Sequence, residues 1–260
     1  MKTFRESGYI MLSIPREDVQ PLDLLMKSDN GTIERLNSPL YELFIPSTYA
    51  CPLISPDREL ASDISNEETF NLKLQNDLGL LQSLINFIHS KVSASFSYNS
   101  NDTITLHLED PKSNQVSYIQ LDTFLQSATL NTAAAGTVEK LQNGELYVIT
   151  ETIKTKSCTI SSGKTAHASA TLNAEIKDIV AANNTVSTDK EKENTIQYSG
   201  DSFRTFGVKA SRILYDKPGL FSHKKSIFKL QNAANIVLVK GGEEFPSEKL
   251  ETPGGILAFI

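Results

Sequence analysis

The chain has 260 residues, 39% of them hydrophobic, and a formal net charge of −6, which leaves room for a real core and excludes a whole-molecule electrostatic nucleic-acid binder. Cys51 and Cys158 are too few and too far apart for a disulfide framework or a zinc site, and read as thiols of a reducing cytosol. Residues 1–14 lack the continuous apolar core of a signal peptide, and no window approaches the roughly 20 apolar residues of a membrane helix, so membrane contact has to come by surface binding or by refolding.

Residues 8–14, GYIMLSI, read as an opening strand that Pro15 ends. Pro21 with Leu22, Leu24, Leu25 and Met26 predicts a short helix or turn with proline at its first position. Pro39, Pro46, Pro52 and Pro56 make 37–56 an irregular stretch. The best helical signal is 77–90, where Leu78, Leu81, Leu84, Ile85 and Ile88 recur at helical spacing behind Asp77 as N-cap, although Gly79 weakens it. A shorter helix is expected at 122–130.

Strands follow. Val92, Ala94, Phe96 and Tyr98 alternate with serines; after the polar turn 99–102, Ile104, Leu106 and Leu108 alternate with Thr105, His107 and Glu109. This is period two on both arms of a candidate hairpin. A long strand is expected at 145–160. Ala166, Ala168, Ala170 and Leu172 then alternate with Thr165, His167, Ser169 and Thr171, and after a polar tip at 183–194 the chain returns as strands at 195–199 and 203–215, with Phe206, Val208 and Ala210 on one face. Residues 235–240 make a last strand.

The chemistry of an enzyme is missing. There is no G-x-S-x-G elbow, P-loop or dinucleotide fingerprint, and His89, His107, His167 and His223 have no partner at metal spacing. No catalytic residue, metal ligand or cofactor is assigned. His107 and His167 read as solvated, Cys158 as a small half-buried strand residue, and the acidic neighbours Asp63, Glu67 and Glu68 as a solvated face. The hairpins, roughly 91–109 and 164–215, have small apolar faces and Ser/Thr/His faces opposite. An ordinary half-buried sheet gives this alternation; so does a barrel strand with a lumen row and a lipid row. Spanning takes about 9–11 residues per strand, so 91–98 would have to recruit its neighbours.

Three stretches carry a family resemblance. GYIMLSIPREDVQPLDLL at 8–25 resembles the start of bacterial gasdermins, GELYVITETIKTKSCTISS at 144–162 resembles the central strand of gasdermin pore-forming domains, and FRTFGVKASRILYDKPG at 203–219 resembles the strand after the second membrane hairpin. The resemblance implies an α+β fold: a central twisted antiparallel sheet with surrounding helices, compact and soluble at rest. It also implies a mechanism. A protease, caspase-like or other, cuts before a short tail; the freed domain binds membrane lipids, oligomerises from a resting monomer, and converts its hairpins into a transmembrane β-barrel, causing cell death in antiphage defence. The protein would be cytoplasmic at rest and at the inner (plasma) membrane afterwards. Val92, Phe96, Ile104, Leu106, Ala166, Ala168, Phe206 and Val208 are the candidate lipid-facing hairpin residues. Several bacterial gasdermins carry a palmitoylated cysteine at the N-terminus; residues 1–9 contain none, so lipidation is not carried over.

The expected division is a pore-forming domain at 1–240, a protease-sensitive linker at 241–251 and an autoinhibitory tail at 252–260. The linker is polar, starts with two glycines and is broken by Pro246; Glu244, Lys249, Leu250 and Glu251 are candidate cut positions. Ile256, Leu257, Phe259 and Ile260 are expected to dock. Burial of each contributes about 1.5–3 kcal/mol, against roughly 1–2 kcal/mol per ordered residue. That surplus holds a tethered tail at about millimolar effective concentration and releases a cut one. Lys217, Lys224, Lys225 and Lys229, interleaved with Phe221 and Phe228, form the candidate membrane-binding cluster, with Lys154, Lys156 and Lys164 as additions. The competing readings are a non-catalytic β-rich binding module whose tail is purely structural, and an enzyme with a dispersed site.

Overall fold

The computed structural model describes residues 7–29, 33–59, 67–73, 83–85, 87, 103–161, 195–216, 227–232, 239–240, 243–244 and 256–258. In chain order the elements are β1 (Ile10–Arg16), β2 (Asp23–Lys27), β3 (Ile33–Pro39), α1 (Leu40–Leu43), β4 (Phe44–Ile45), β5 (Ser55–Glu59), β6 (Glu67–Lys73), β7 (Thr103–Glu109), β8 (Lys112–Gln115), α2 (Tyr118–Ser127), β9 (Thr129–Leu130), α3 (Ala135–Gln142), β10 (Leu146–Ser161), β11 (Thr195–Asp216), β12 (Ile227–Asn232), β13 (Val239–Lys240), β14 (Glu243–Glu244) and β15 (Ile256–Ala258).

The spine is the antiparallel ribbon of β10 and β11, paired from Tyr147↔Arg212 to Ser161↔Thr195 with three irregularities that strengthen its twist. The main sheet runs β12-β11-β1-β15-β3-β2-β10-β7-β6, with β8 added beside β10 and β5 beside β8. The first residues of β10 are buried on both faces, so they read as a continuous apolar run rather than an alternation. Alternate side chains go to different places. Leu146 and Val148 enter a large cluster with Leu24 of β2, Ile213 of β11 and the helical residues Leu121, Phe124, Leu125 and Leu141. Tyr147 and Ile149 enter a small cluster with Leu12, Val19, Leu25, Ile33, Val208 and Ala210.

Helix α2 forms because Ser117 caps its N-terminus through the Gln120 N–H and Leu121, Phe124 and Leu125 share one buried face. It also holds β12. The Tyr118 hydroxyl donates to the Leu230 carbonyl at 2.9 Å and the Leu230 N–H donates to Asp122 at 3.2 Å. Gly144, at φ +68°, turns the chain from α3 into β10.

Several expectations need correction. Pro15 does not end the first strand, which continues to Arg16; the register shifts between Met11 and Arg16, and proline is tolerated where a bulge leaves a ladder bond unmade. After Pro21 the chain makes a turn with Leu22 at φ +73° and then strand β2, not a helix. The stretch 37–56 holds the end of β3, α1, β4 and the start of β5. The helix expected at 122–130 runs from Tyr118 to Ser127 and gives way to β9. Strands 195–199 and 203–215 are one strand, β11. Of the helix expected at 77–90, residues 83–85 and 87 are helical and the rest lies outside the described residues.

Candidate functional site: a sheet seam filled by the C-terminal segment

β15 lies inside the sheet, between β1 and β3. Met11 pairs with Ile256 and Leu12 with Leu257; on the other side Leu257 pairs with Ile33 and Ala258 with Glu34. Both ladders are parallel, and they are the only parallel pairings among the described strands. Parallel pairing is slightly the weaker kind per residue. Leu12 and Ile33, the two register partners of Leu257, are buried and belong to the small cluster. The pairings β15–β1–β11–β10–β2–β3–β15 close on themselves, and every residue of the small cluster except Val19, in the loop after β1, comes from the other strands of that circuit. β15 therefore fills the place between β1 and β3 and completes the circuit.

The two strands bordering the seam are anchored on their far sides. Just before β1, the Tyr9 hydroxyl donates to Glu151 at 2.6 Å, and Lys209 pairs with the same carboxylate at 2.8 Å while lying 4.4 Å over the Tyr9 ring. Past its end, Arg204 pairs with Glu17 at 2.8 Å. On β3, Arg35 bridges Asp23 at 2.9 Å and Asp18 at 2.6 Å. Burial raises the Asp23 carboxyl above its ordinary value, against the Gln20 N–H and Arg35. At Asp18 burial also acts upward, but the hydrogen bond and charge of Arg35 outweigh it and hold the carboxyl below its ordinary value.

The expected hairpin residues divide. Ile104 and Leu106 of β7, and Phe206 and Val208 of β11, are all buried in the sheet's core. Val92, Phe96, Ala166 and Ala168 lie outside the described residues. β7 is paired with β6 along 103–109 and with β10 along 105–109, so both edges of 105–109 are taken by strands other than the 91–98 run of the candidate hairpin. The Thr105 hydroxyl is buried without a hydrogen-bond partner. His107 is half-buried, its Nδ1 2.9 Å from Thr69 Oγ1, rather than solvated. Cys158 is fully buried rather than half-buried, and burial, with Glu109 nearby, pushes its thiol up to about 12; it is packing, not a nucleophile.

Of the basic candidates, Lys229 is exposed on β12, while Lys217, Lys224, Lys225 and Lys164 lie outside the described residues. Lys154 pairs with Asp57 at 2.7 Å, and Lys154 and Lys156 lie 5.4 Å and 5.2 Å over the Phe203 ring. Glu244 sits in a two-residue ladder opposite Val239, with Glu243 opposite Lys240. Lys249, Leu250, Glu251, Phe259 and Ile260 lie outside the described residues; Ile256 and Leu257 are in β15. A cleft of about 440 Å³ is lined by Ile14, Pro15, Arg16, Glu17, Asp18, Phe87 and Arg204. Its carboxylates are each engaged by an arginine, and no histidine lines it. Among the described residues no group of His, Cys, Asp and Glu is placed to hold a metal ion, and no helix is long and apolar enough to cross a membrane.

The family model described as the Bacterial Gasdermin Family matches residues 12–220. A gasdermin bGSDM from an unknown prokaryotic organism is 27% identical over 259 residues, covering 97% of this chain and 96% of that protein. The gasdermin bGSDM of Vitiosangium sp. is 28% identical, covering 96% and 92%. Among solved structures, a bacterial gasdermin from Bradyrhizobium tropiciagri aligns with a TM-score of 0.45 at 15% identity over 82% of this chain and 85% of that one.

Proposed function

The chain belongs to the bacterial gasdermin family of pore-forming cell-death effectors, and from that premise we propose that it is held at rest by its own β15 and activated when a protease removes that strand. The observation that carries the reading is the place of β15, inserted between two strands and paired there with Leu12 and Ile33, two members of a core cluster. Its removal leaves two open strand edges, which are templates for pairing with another chain. Within the expected linker we favour a cut outside the ladder that pairs Glu244 with Val239, because a protease must pair with the backbone it cuts; Lys249, Leu250 and Glu251 remain the candidates. The protease is caspase-like or of another class, and the setting is antiphage defence.

After release the apolar rows of β7 and β11 exchange core for lipid. Ile104 and Leu106, Phe206 and Val208 are buried at rest, and a spanning strand puts such a row against the acyl chains with its polar row facing a water-filled lumen. Thr105 supports the direction: its hydroxyl lacks a partner in the resting sheet and would meet water in a lumen. A buried unsatisfied hydroxyl costs on the order of 1–3 kcal/mol, which favours leaving. Lys217, Lys224, Lys225 and Lys229 bring the freed domain to anionic lipid of the inner membrane, where copies oligomerise.

The test is a full chain carrying a site-specific protease sequence in place of 245–251. Cutting should release dye from anionic vesicles, and the uncut chain should not. A cut chain that leaves vesicles intact overturns the proposal. It would instead favour a non-catalytic β-rich binding module, for which β15 is a structural strand like any other in its ladder.

A further inference from the structure

We infer that the seam between β1 and β3 is a peptide-binding site in its own right, a strand acceptor that rebinds the excised 252–260 segment in trans and returns the cut protein to its closed form. The inference rests on the proposed release of β15 and adds that the release is reversible.

The acceptor is built to outlast its occupant. β1 keeps its ladder to β11 and the Tyr9–Glu151–Lys209 contacts; β3 keeps its ladder to β2 and the bridge from Arg35 to Asp23. None of these bonds involves β15. With the strand gone, two edges face a gap one strand wide, and each presents backbone N–H and C=O groups that need partners.

The edges also define the ligand. β15 runs parallel to both, so β1 and β3 run the same way, and an entering strand must run with both or against both. Recognition is by main chain on two sides, as in strand addition to a sheet edge, with side-chain selection from pockets at alternate positions. The selective position is that of Leu257, whose register partners Leu12 and Ile33 are both buried. The site therefore takes an extended peptide with an apolar residue at its centre and an N–H available at each step.

Affinity follows from the short ladders. β15 has three residues and two register pairs on each side. For the tethered segment to stay bound, its dissociation constant must lie below an effective concentration of about 1 mM. For a cut segment to leave at micromolar protein it must lie well above that level. Both conditions place it on the order of 0.1 mM, so that an excess of free peptide refills the seam.

The experiment uses the full chain with the engineered protease site, cut without membranes and separated from its peptide. A fluorescein-labelled synthetic peptide TPGGILAFI should bind it saturably by anisotropy. The same peptide with Leu257→Pro, which removes an N–H, should bind at least tenfold more weakly. The uncut chain, its seam filled, should bind neither. Unlabelled TPGGILAFI at about 1 mM, added before vesicles of phosphatidylglycerol and phosphatidylethanolamine, should suppress leakage by the cut chain. No saturable binding up to millimolar peptide, equal binding of the proline peptide, or equal binding to the uncut chain overturns the inference. Leakage without peptide binding sinks the acceptor and leaves the proposed function standing; peptide binding by a cut chain that never leaks does the reverse.

Discussion

Leu12 and Leu257 are register partners across a parallel ladder, and Leu12 is wholly buried in the small core cluster. A charge at position 257 would stand beside two dry positions. Leu257→Asp is therefore expected to free β15 without a cut, because a carboxylate there would give up water beside Leu12 and Ile33 with no partner to replace it. The uncut variant should release dye from anionic vesicles. Ala258→Lys is the control, because its partner Glu34 is half-exposed, and it should stay silent. If uncut Leu257→Asp is as silent as the parent, β15 is not the restraint.

Arg35 compensates two carboxylates, and its loss leaves Asp23 as a buried, unpaired charge. Arg35→Met should destabilise the protein by about 3–5 kcal/mol at pH 7, read from urea unfolding. The sign with pH is set by Asp23, whose folded-state carboxyl is already raised above its ordinary value and rises further without Arg35. A raised carboxyl binds its proton more tightly in the folded state than in the unfolded one. Its contribution is thus most favourable below the unfolded value and is lost as pH rises through the folded one. The deficit of Arg35→Met against the parent should shrink from pH 7 to pH 4; a deficit that grows on acidification would contradict this.

Thr69 and His107 face each other across β6 and β7, with 2.9 Å between Oγ1 and Nδ1. Cross-strand partners have Cβ atoms about 4.5–5.5 Å apart, close enough for a disulfide after small adjustment. Thr69→Cys with His107→Cys should keep β7 on β6. Oxidised and cut, the variant should bind vesicles without emptying them; reduced, it should leak like the parent. Full leakage by the oxidised form would mean that β7 need not leave β6.

Thr105 buries a hydroxyl with no partner. Thr105→Val keeps the shape and removes that group, so the resting state should gain about 1 kcal/mol. After the cut, leakage should be slower than for the parent, since the new resting state gives up more on opening. A raised unfolding midpoint with unchanged leakage rate would show that β7 leaves only after the slow step.

Lys224 and Lys225 lie in the basic cluster read from the sequence. Attraction to anionic lipid is worth about 1 kcal/mol per basic residue. Lys224→Glu with Lys225→Glu should weaken binding of the cut chain to anionic vesicles by roughly 30-fold or more, with neutral vesicles as the reference. Unchanged binding in sedimentation discards this cluster.

Local patterns carried much of the fold. The run at 145–160 is β10 to within a residue, because its start is a continuous apolar run and its later part is rich in β-branched residues. Ile104, Leu106 and Leu108 alternate in the sequence and are buried together in β7. The apolar character of 256–257 and the polar character of 241–251 were also visible, since both follow from side-chain hydration alone. Cys158, by contrast, reads as half-buried among polar neighbours but is fully buried; the contacts from β7 and β11 that cover it come from residues far along the chain.

What waited for the tertiary structure was partnership. β7 finds β6 across a long stretch of chain rather than the nearer run at 91–98. Pro15 lies within a strand because a bulge absorbs the missing N–H. Leu24 and Leu25, expected in a short helix or turn after Pro21, sit in β2 and feed two different clusters. Above all, nothing in Ile256–Ala258 names β1 and β3 as its neighbours, or the parallel direction in which it lies between them. Side-chain periodicity says which face of a strand is dry. A backbone edge offers the same N–H and C=O groups to every strand, so the choice of partner belongs to whatever the rest of the fold brings alongside.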